Sequence, residues 1–101
     1  MIIYNITVKV DWSIHEEWLL WVKAEEIPQM LASNLFHQYH LVRLLEVDET
    51  DGPTYALQFY ADSIDHYNRY LLHQPAFGGQ KEFAKWGDRI VDFRTVMEVV
   101  H

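Results

Sequence analysis

Strict alternation near the start of the chain limits its fold more than any other feature. Between Ile2 and Val10 the apolar side chains Ile2, Tyr4, Ile6, Val8 and Val10 fall on every second residue, with Ile3, Asn5, Thr7 and Lys9 between them. Successive side chains of an extended strand point to opposite faces, so this period describes a strand with one face against a core. Such a strand needs neighbours for its backbone N–H and C=O groups and a layer to cover its apolar side.

The rest of the chain supplies both. Ser13 with Glu16 three positions on has the form of a capping box, so a helix is expected to start there. Ile14, Trp18, Trp21 or Val22, Met30 and Leu31 recur at helical spacing, with Glu16, Glu17, Lys23, Glu25 and Glu26 between them. Pro28 removes a donor and disfavours helical geometry at Ile27, so the helix should bend or restart before ending near Ser33 and Asn34. A second strand is expected from Phe36 to Val47. Leu41, Val42, Leu44 and Leu45 put apolar groups on both its faces, and parity does not set which is inner. Asp48 to Pro53 reads as an acidic turn, with Asp51 and Gly52 supplying the positive backbone angles of a hairpin.

In the third strand, Thr54 to Ala61, Tyr55, Leu57 and Phe59 alternate with Ala56, Gln58 and Tyr60. Asp62 or Ser63 should cap a helix that carries Ile64, Tyr67, Tyr70 and Leu71 and ends near Gln74 and Pro75. Gly78 and Gly79 separate a further helical piece bearing Phe83 and Trp86, which Gly87 terminates. The last strand, Asp88 to Val100, sets Val91, Phe93, Met97 and Val99 against Asp92, Arg94, Val96 and Glu98, and the apolar set is expected to face the core.

The order is therefore βαββαβ. Right-handed crossovers place the first and third strands centrally in one four-stranded antiparallel sheet with the helices on one face, an α+β, ferredoxin-like fold. The 101 residues, half of them apolar and 15% aromatic, suit a single folded domain over 1–101. A domain of this size leaves much surface exposed, and one sheet face is uncovered, so a homodimer is expected.

Almost the whole chain resembles a small bacterial family classed as a domain of unknown function. The resemblance lies in Met1-Ile2-Ile3-Tyr4-Asn5, in Trp21-Val22 through Ile27-Pro28, and in Leu41-Val42-Arg43-Leu44-Leu45. It continues in Thr54-Tyr55-Ala56-Leu57-Gln58, Tyr67 to Tyr70 and Phe93-Arg94-Thr95. It implies a ferredoxin-like fold of the dimeric α/β-barrel type and brings no activity with it.

Charge narrows the partners. The formal net charge of −7 opposes a phosphate backbone, and the eight Lys and Arg residues form no basic cluster, so no nucleic acid is expected. RNA-recognition modules share the βαββαβ order, but TYALQFYA lacks the basic and glycine residues of their motif. Cysteine is absent, which removes disulfides and thiolate chemistry. No apolar run approaches the ~20 residues of a membrane-spanning helix, and no signal peptide is apparent, so a soluble cytoplasmic protein without membrane contact is expected.

Alternation collects Asn5, Thr7, Gln58, Tyr60, Asp92, Arg94 and Glu98 on the sheet face expected to point away from the helices. Arg94 beside such donors and acceptors could orient a small polar or anionic ligand, because a guanidinium grips a carboxylate through two parallel hydrogen bonds. A partner subunit would ask for the same residues. No metal site is expected: His37 and His40 point to opposite faces of a strand, and His66 and His73 sit about 10 Å apart along a helix. No cofactor is expected either.

The resulting reading is a non-enzymatic homodimeric module that binds a small ligand or a partner through Asn5, Thr7, Gln58, Tyr60 and Arg94. The alternative is an enzyme of the dimeric α/β-barrel class, such as a cofactor-free or haem-degrading monooxygenase. Similarity to the latter implies a substrate-positioning role for Asn5 and axial ligation by His66 or His73, although Tyr67 and Tyr70 stand in the helix where a Trp is wanted.

Overall fold

The N-terminal alternation is a strand, β1 (Ile2–Val10), at the centre of the sheet. Next in the chain is a helical layer made of α1 (His15–Trp21), a π-helical turn (Val22–Glu26) and α2 (Ile27–Ala32). Strands β2 (Gln38–Arg43) and β3 (Thr54–Ala61) come after it, then α3 (Ile64–His73) and β4 (Ile90–Glu98). This computed structural model describes residues 1–73 and 85–101, His73 by its backbone alone. The expected helix end at Gln74 and Pro75, the Gly78-Gly79 break and Phe83 lie outside the described residues.

All neighbours in the sheet are antiparallel and the order is β2-β3-β1-β4, so β1 and β3 are central, as a ferredoxin-like fold requires. Ile2, Tyr4, Ile6, Val8 and Val10 meet Tyr55, Leu57, Phe59 and Ala61 on one face and pack beneath Trp18, Val22, Ile27, Met30 and Tyr70 from the helices. Among the described residues no helix packs on the opposite sheet face, which is called the open face below. No helix among the described residues is long and apolar enough to cross a membrane.

Pro28 explains the break in the first helical layer. Its missing N–H and its ring leave the carbonyl four residues back without an α-type donor. The chain responds with a wider turn in which the Ile27 N–H bonds to Val22 O, five residues back. One extra residue in the turn rotates the helix beyond it, so Ile27 and Met30 continue the buried line of Trp18 and Val22, and Glu26 is carried into the interior at 1% exposure.

Three local expectations are corrected. Ser13 does not cap the first helix: a short 3-10 turn, Trp12–Ile14, intervenes, and the Asp11 carboxylate accepts from the Ser13 N–H at 2.8 Å. An Asp side chain reaches the N–H two residues on, which pre-empts the capping box. Ser13 Oγ accepts instead from Arg89 Nη1 at 2.7 Å. Among the described residues, positive backbone angles fall at Asn34, Glu46 and Gly87, not at Asp51 and Gly52. Gly52 is needed for space, since a Cβ there would sit 1.7 Å from the Val10 carbonyl oxygen.

The third correction matters most for function. β4 pairs with β1 in a register that sets Arg94 opposite Ile6, Asp92 opposite Val8 and Val96 opposite Tyr4. Cross-strand partners share a face, so Asp92, Arg94 and Glu98 point toward the helices while Val91, Phe93, Thr95 and Met97 point to the open side. The strand is turned over relative to the reading from its alternation. In β2 the register with β3 sends Tyr39, Leu41 and Arg43 inward and Gln38, His40 and Val42 outward.

Candidate functional site

Each face of the sheet carries a group of polar side chains. On the open face, cross-strand pairing aligns His40, Gln58, Asn5 and Thr95 in one row across all four strands. A hydrogen-bonded chain runs through it. His40 Nδ1 lies 2.9 Å from the Tyr60 hydroxyl, which donates to Gln58 Oε1 at 3.3 Å. Gln58 Nε2 donates to Asn5 Oδ1 at 3.3 Å, and Asn5 Nδ2 to Thr7 Oγ1 at 2.9 Å. Short side chains and mutual bonding leave Asn5 only 7% exposed although no described helix covers the face.

The flanking rows carry apolar residues beside Thr7 in one and Gln38 and Tyr60 in the other. Val42, Ala56 and Phe93 lie on one side, Ile3 and Met97 on the other, and Val91 beyond. Phe93 is 60% and Val91 68% exposed. Among the strand residues that point to this face, Lys9 alone carries a formal charge, although 23% of the chain is Asp, Glu, Lys or Arg.

The inner face holds the other group. The Tyr4 ring lies 5.5 Å from both Tyr67 and Tyr70, and Phe36 is stacked at 6.2 Å from Tyr4. Arg94 and Tyr70 both stand close enough to the Tyr4 hydroxyl to bear on its ionisation. Burial pushes the Tyr4, Tyr67 and Tyr70 phenols up, the Arg94 charge opposing the rise, so all three are protonated at neutral pH. Arg94 Nη2 also stands 3.5 Å from Asp92 Oδ2. The buried Glu26 carboxylate is close enough to raise Tyr70 further.

Elsewhere, polar groups tie elements together. Tyr55 OH and His15 Nε2 are 2.7 Å apart, and Arg43 forks onto Glu49 at 2.7 and 3.0 Å, below the Trp12 ring. A groove of about 610 Å³ between the π turn and the edge strand is lined by Lys23, Ile27, Tyr39, His40 and Leu41. No three His, Asp or Glu side chains among the described residues converge as metal ligands would.

A model of the family described as Domain of unknown function (DUF4286) matches residues 1–100. The chain belongs to that family. No protein of curated function matches it. Solved structures similar to this DUF4286 chain include a dimeric ferredoxin-like protein from an uncultured marine organism, with a TM-score of 0.74 at 10% identity over 99% of this chain and 95% of that one. Hydroxynitrile lyase from Passiflora edulis is similar at a TM-score of 0.63 and 16% identity, over 99% and 96%. A putative antibiotic biosynthesis monooxygenase from Deinococcus radiodurans is similar at 0.61 and 11%, over 100% and 94%. At these identities the likeness establishes the ferredoxin-like fold of the DUF4286 chain.

Of the candidate residues read from the sequence, Asn5, Thr7, Gln58 and Tyr60 share the open face and are joined by hydrogen bonds. Arg94 is on the other side of the sheet, with Tyr4 and Tyr67. Asn5 and His66 are also separated by the sheet, His66 sitting at the start of α3 with its Nδ1 2.8 Å from Ser63 Oγ. The His73 side chain lies outside the described residues. Sequence reasoning missed Phe93 and Val91 as open-face residues, and Tyr4 and Glu26 as members of a polar cluster. Pro28, which breaks the helical period two residues on, was the available signal for Glu26; for β4 there was none short of its pairing register.

Proposed function

We propose that this DUF4286 chain is a non-enzymatic homodimeric module, in which the open sheet faces of two copies meet and each copy binds a small polar or anionic ligand. The observation that carries this reading is the orientation of β4, whose apolar residues Val91, Phe93 and Met97 point away from the core while its charged residues point toward it. An exposed apolar strand face beside neutral, internally bonded polar groups is costly in water and suited to burial against protein. Charge supports the same pairing. Each chain carries −7, and two copies repel least where they approach through strand residues that carry no carboxylate, as those of the open face do. Asn5, Thr7, Gln58 and Tyr60 then form the polar centre of the interface, their groups already satisfied within the chain. A solved protein of similar fold is described as dimeric, which supports pairing of two copies. The cytoplasm is the proposed compartment.

Light scattering over a range of protein concentrations tests the proposal. The expected mass is twice that of the 12.1 kDa chain. A value of one chain throughout would overturn it.

A further inference from the structure

Strand β2 is an edge of the sheet, and its outer side has backbone groups to satisfy. The Leu44 N–H bonds to Thr54 O at 2.9 Å, in the same register that pairs Leu41 with Leu57. Bonded and non-bonded pairs alternate along an antiparallel ladder, so His40 and Val42 turn their N–H and C=O groups to β3 while Tyr39, Leu41 and Arg43 turn theirs outward. No strand among the described residues meets them. The groove of about 610 Å³ lies beside this edge, lined by Tyr39 and Leu41 of the strand and by Lys23 and Ile27 of the helical layer. We propose that β2 takes an extended acidic peptide as a fifth, antiparallel strand, with a peptide carboxylate against Lys23. The groove is on the helix side of the sheet, so the site does not depend on the dimer proposed above.

Backbone groups on an exposed edge are a template for another strand, and main-chain bonding with pockets for alternate side chains is how sheets take up peptides. A residue paired with Leu41 shares its face, so every second peptide side chain falls on the groove side. Charge sets the kind of peptide. Lys23 makes no ion pair or hydrogen bond among the described residues, and no carboxylate is found among the described residues that line the groove. Between Gln38 and Arg43 the strand itself carries no Asp or Glu, although the chain as a whole has a net charge of −7. The β2 of a second copy therefore brings no carboxylate to Lys23, and its Arg43 adds like charge. The other edge differs: the hollow beside the start of β4 has Asp11, Asp51 and Asp88 in its lining, with Lys9 and Arg89, and opposes a further carboxylate.

The probe is a peptide blocked at both ends, with a central valine flanked on each side by threonine and then glutamate. Titrated to about 5 mM into the full chain, it should give saturable shifts of the Tyr39, Leu41 and Arg43 amide signals in nitrogen–proton NMR. Methylating the valine nitrogen removes a ladder donor and should weaken binding about tenfold. Exchanging both glutamates for lysine should weaken it about fivefold, as reversing one exposed charge does. Lys23 is exposed, so Lys23→Glu leaves the core alone, and it should invert the preference in favour of the lysine peptide. The two peptide comparisons use the unaltered chain and stand even if Lys23→Glu fails to fold. Absence of saturable shifts, equal binding of the glutamate and lysine peptides, undiminished binding of the methylated one, or an unchanged preference in Lys23→Glu each overturns the proposal. If concentrating the protein alone shifts these amides and not that of Phe93 on the open face, a second copy occupies the edge and the proposal falls.

Discussion

Tyr70 is 1% exposed and its phenol is pushed well above the usual range, first by burial and then by Tyr4 and Glu26. The folded chain therefore keeps a proton that the unfolded chain releases from about pH 10. Since the folded state then binds more protons than the unfolded one, the stability that this phenol contributes is complete below about pH 10 and declines as pH rises above it. Tyr70→Phe removes the titration and should make that alkaline decline shallower. Urea denaturation followed by circular dichroism at a series of alkaline pH values, at fixed protein concentration, measures it; identical slopes for both proteins would place the phenol in contact with water. Arg94 makes a related point about single residues. Its type was legible in the sequence as a carboxylate binder, but its neighbours were not, because they come from β1 and α3, 90 and 27 residues earlier by the register and ring contacts of Tyr4 and Tyr67.

Among elements, β4 separates two kinds of apolar residue. Leu57 on β3 is 2% exposed within one chain and packs under the helices, so Leu57→Ala should destabilise the fold by about 2–5 kcal/mol through lost burial and a cavity. Phe93 is apolar too but 60% exposed in one chain. Phe93→Ala should leave unfolding of the dilute chain nearly unchanged and weaken association by about 2 kcal/mol, as truncating a central interface aromatic does. Sedimentation and urea denaturation of both variants decide the matter. Should Phe93→Ala unfold as readily as Leu57→Ala, the orientation of β4 would be wrong. The first helical layer was easier to read, because Pro28 acts on its own turn: the restart at Ile27 comes from a missing N–H and a ring, whatever packs against the helix.

At the scale of the whole molecule, the sign of the salt response reports how two copies meet. Association through a neutral, apolar face works against the mutual repulsion of two chains of charge −7. Salt shortens the Debye length from about 30 Å at 0.01 M to about 8 Å at 0.15 M, which screens that repulsion and leaves apolar contact intact. Dimerisation should therefore tighten as salt is raised over this range, as read by sedimentation equilibrium. An interface held by ion pairs would loosen instead.

The strand-helix order, the central place of β1 and β3 and the inward side of both came from the sequence by itself, because each rests on local rules: period-two alternation, turn residues, and the handedness of crossovers. Gln58, Asn5, Thr7 and Tyr60 fell on a common face for the same reason, since the parity of β1 and β3 is anchored by uninterrupted apolar alternation. For β2 and β4 only the tertiary structure decided. Alternation states that a strand has an apolar face, not which layer that face meets. In a monomeric sheet the apolar side must face the core, and Val91, Phe93 and Met97 were read on that premise. Their outward orientation is set by the backbone register with β1, and it brings Arg94 to Tyr4 across a strand boundary that no local pattern records.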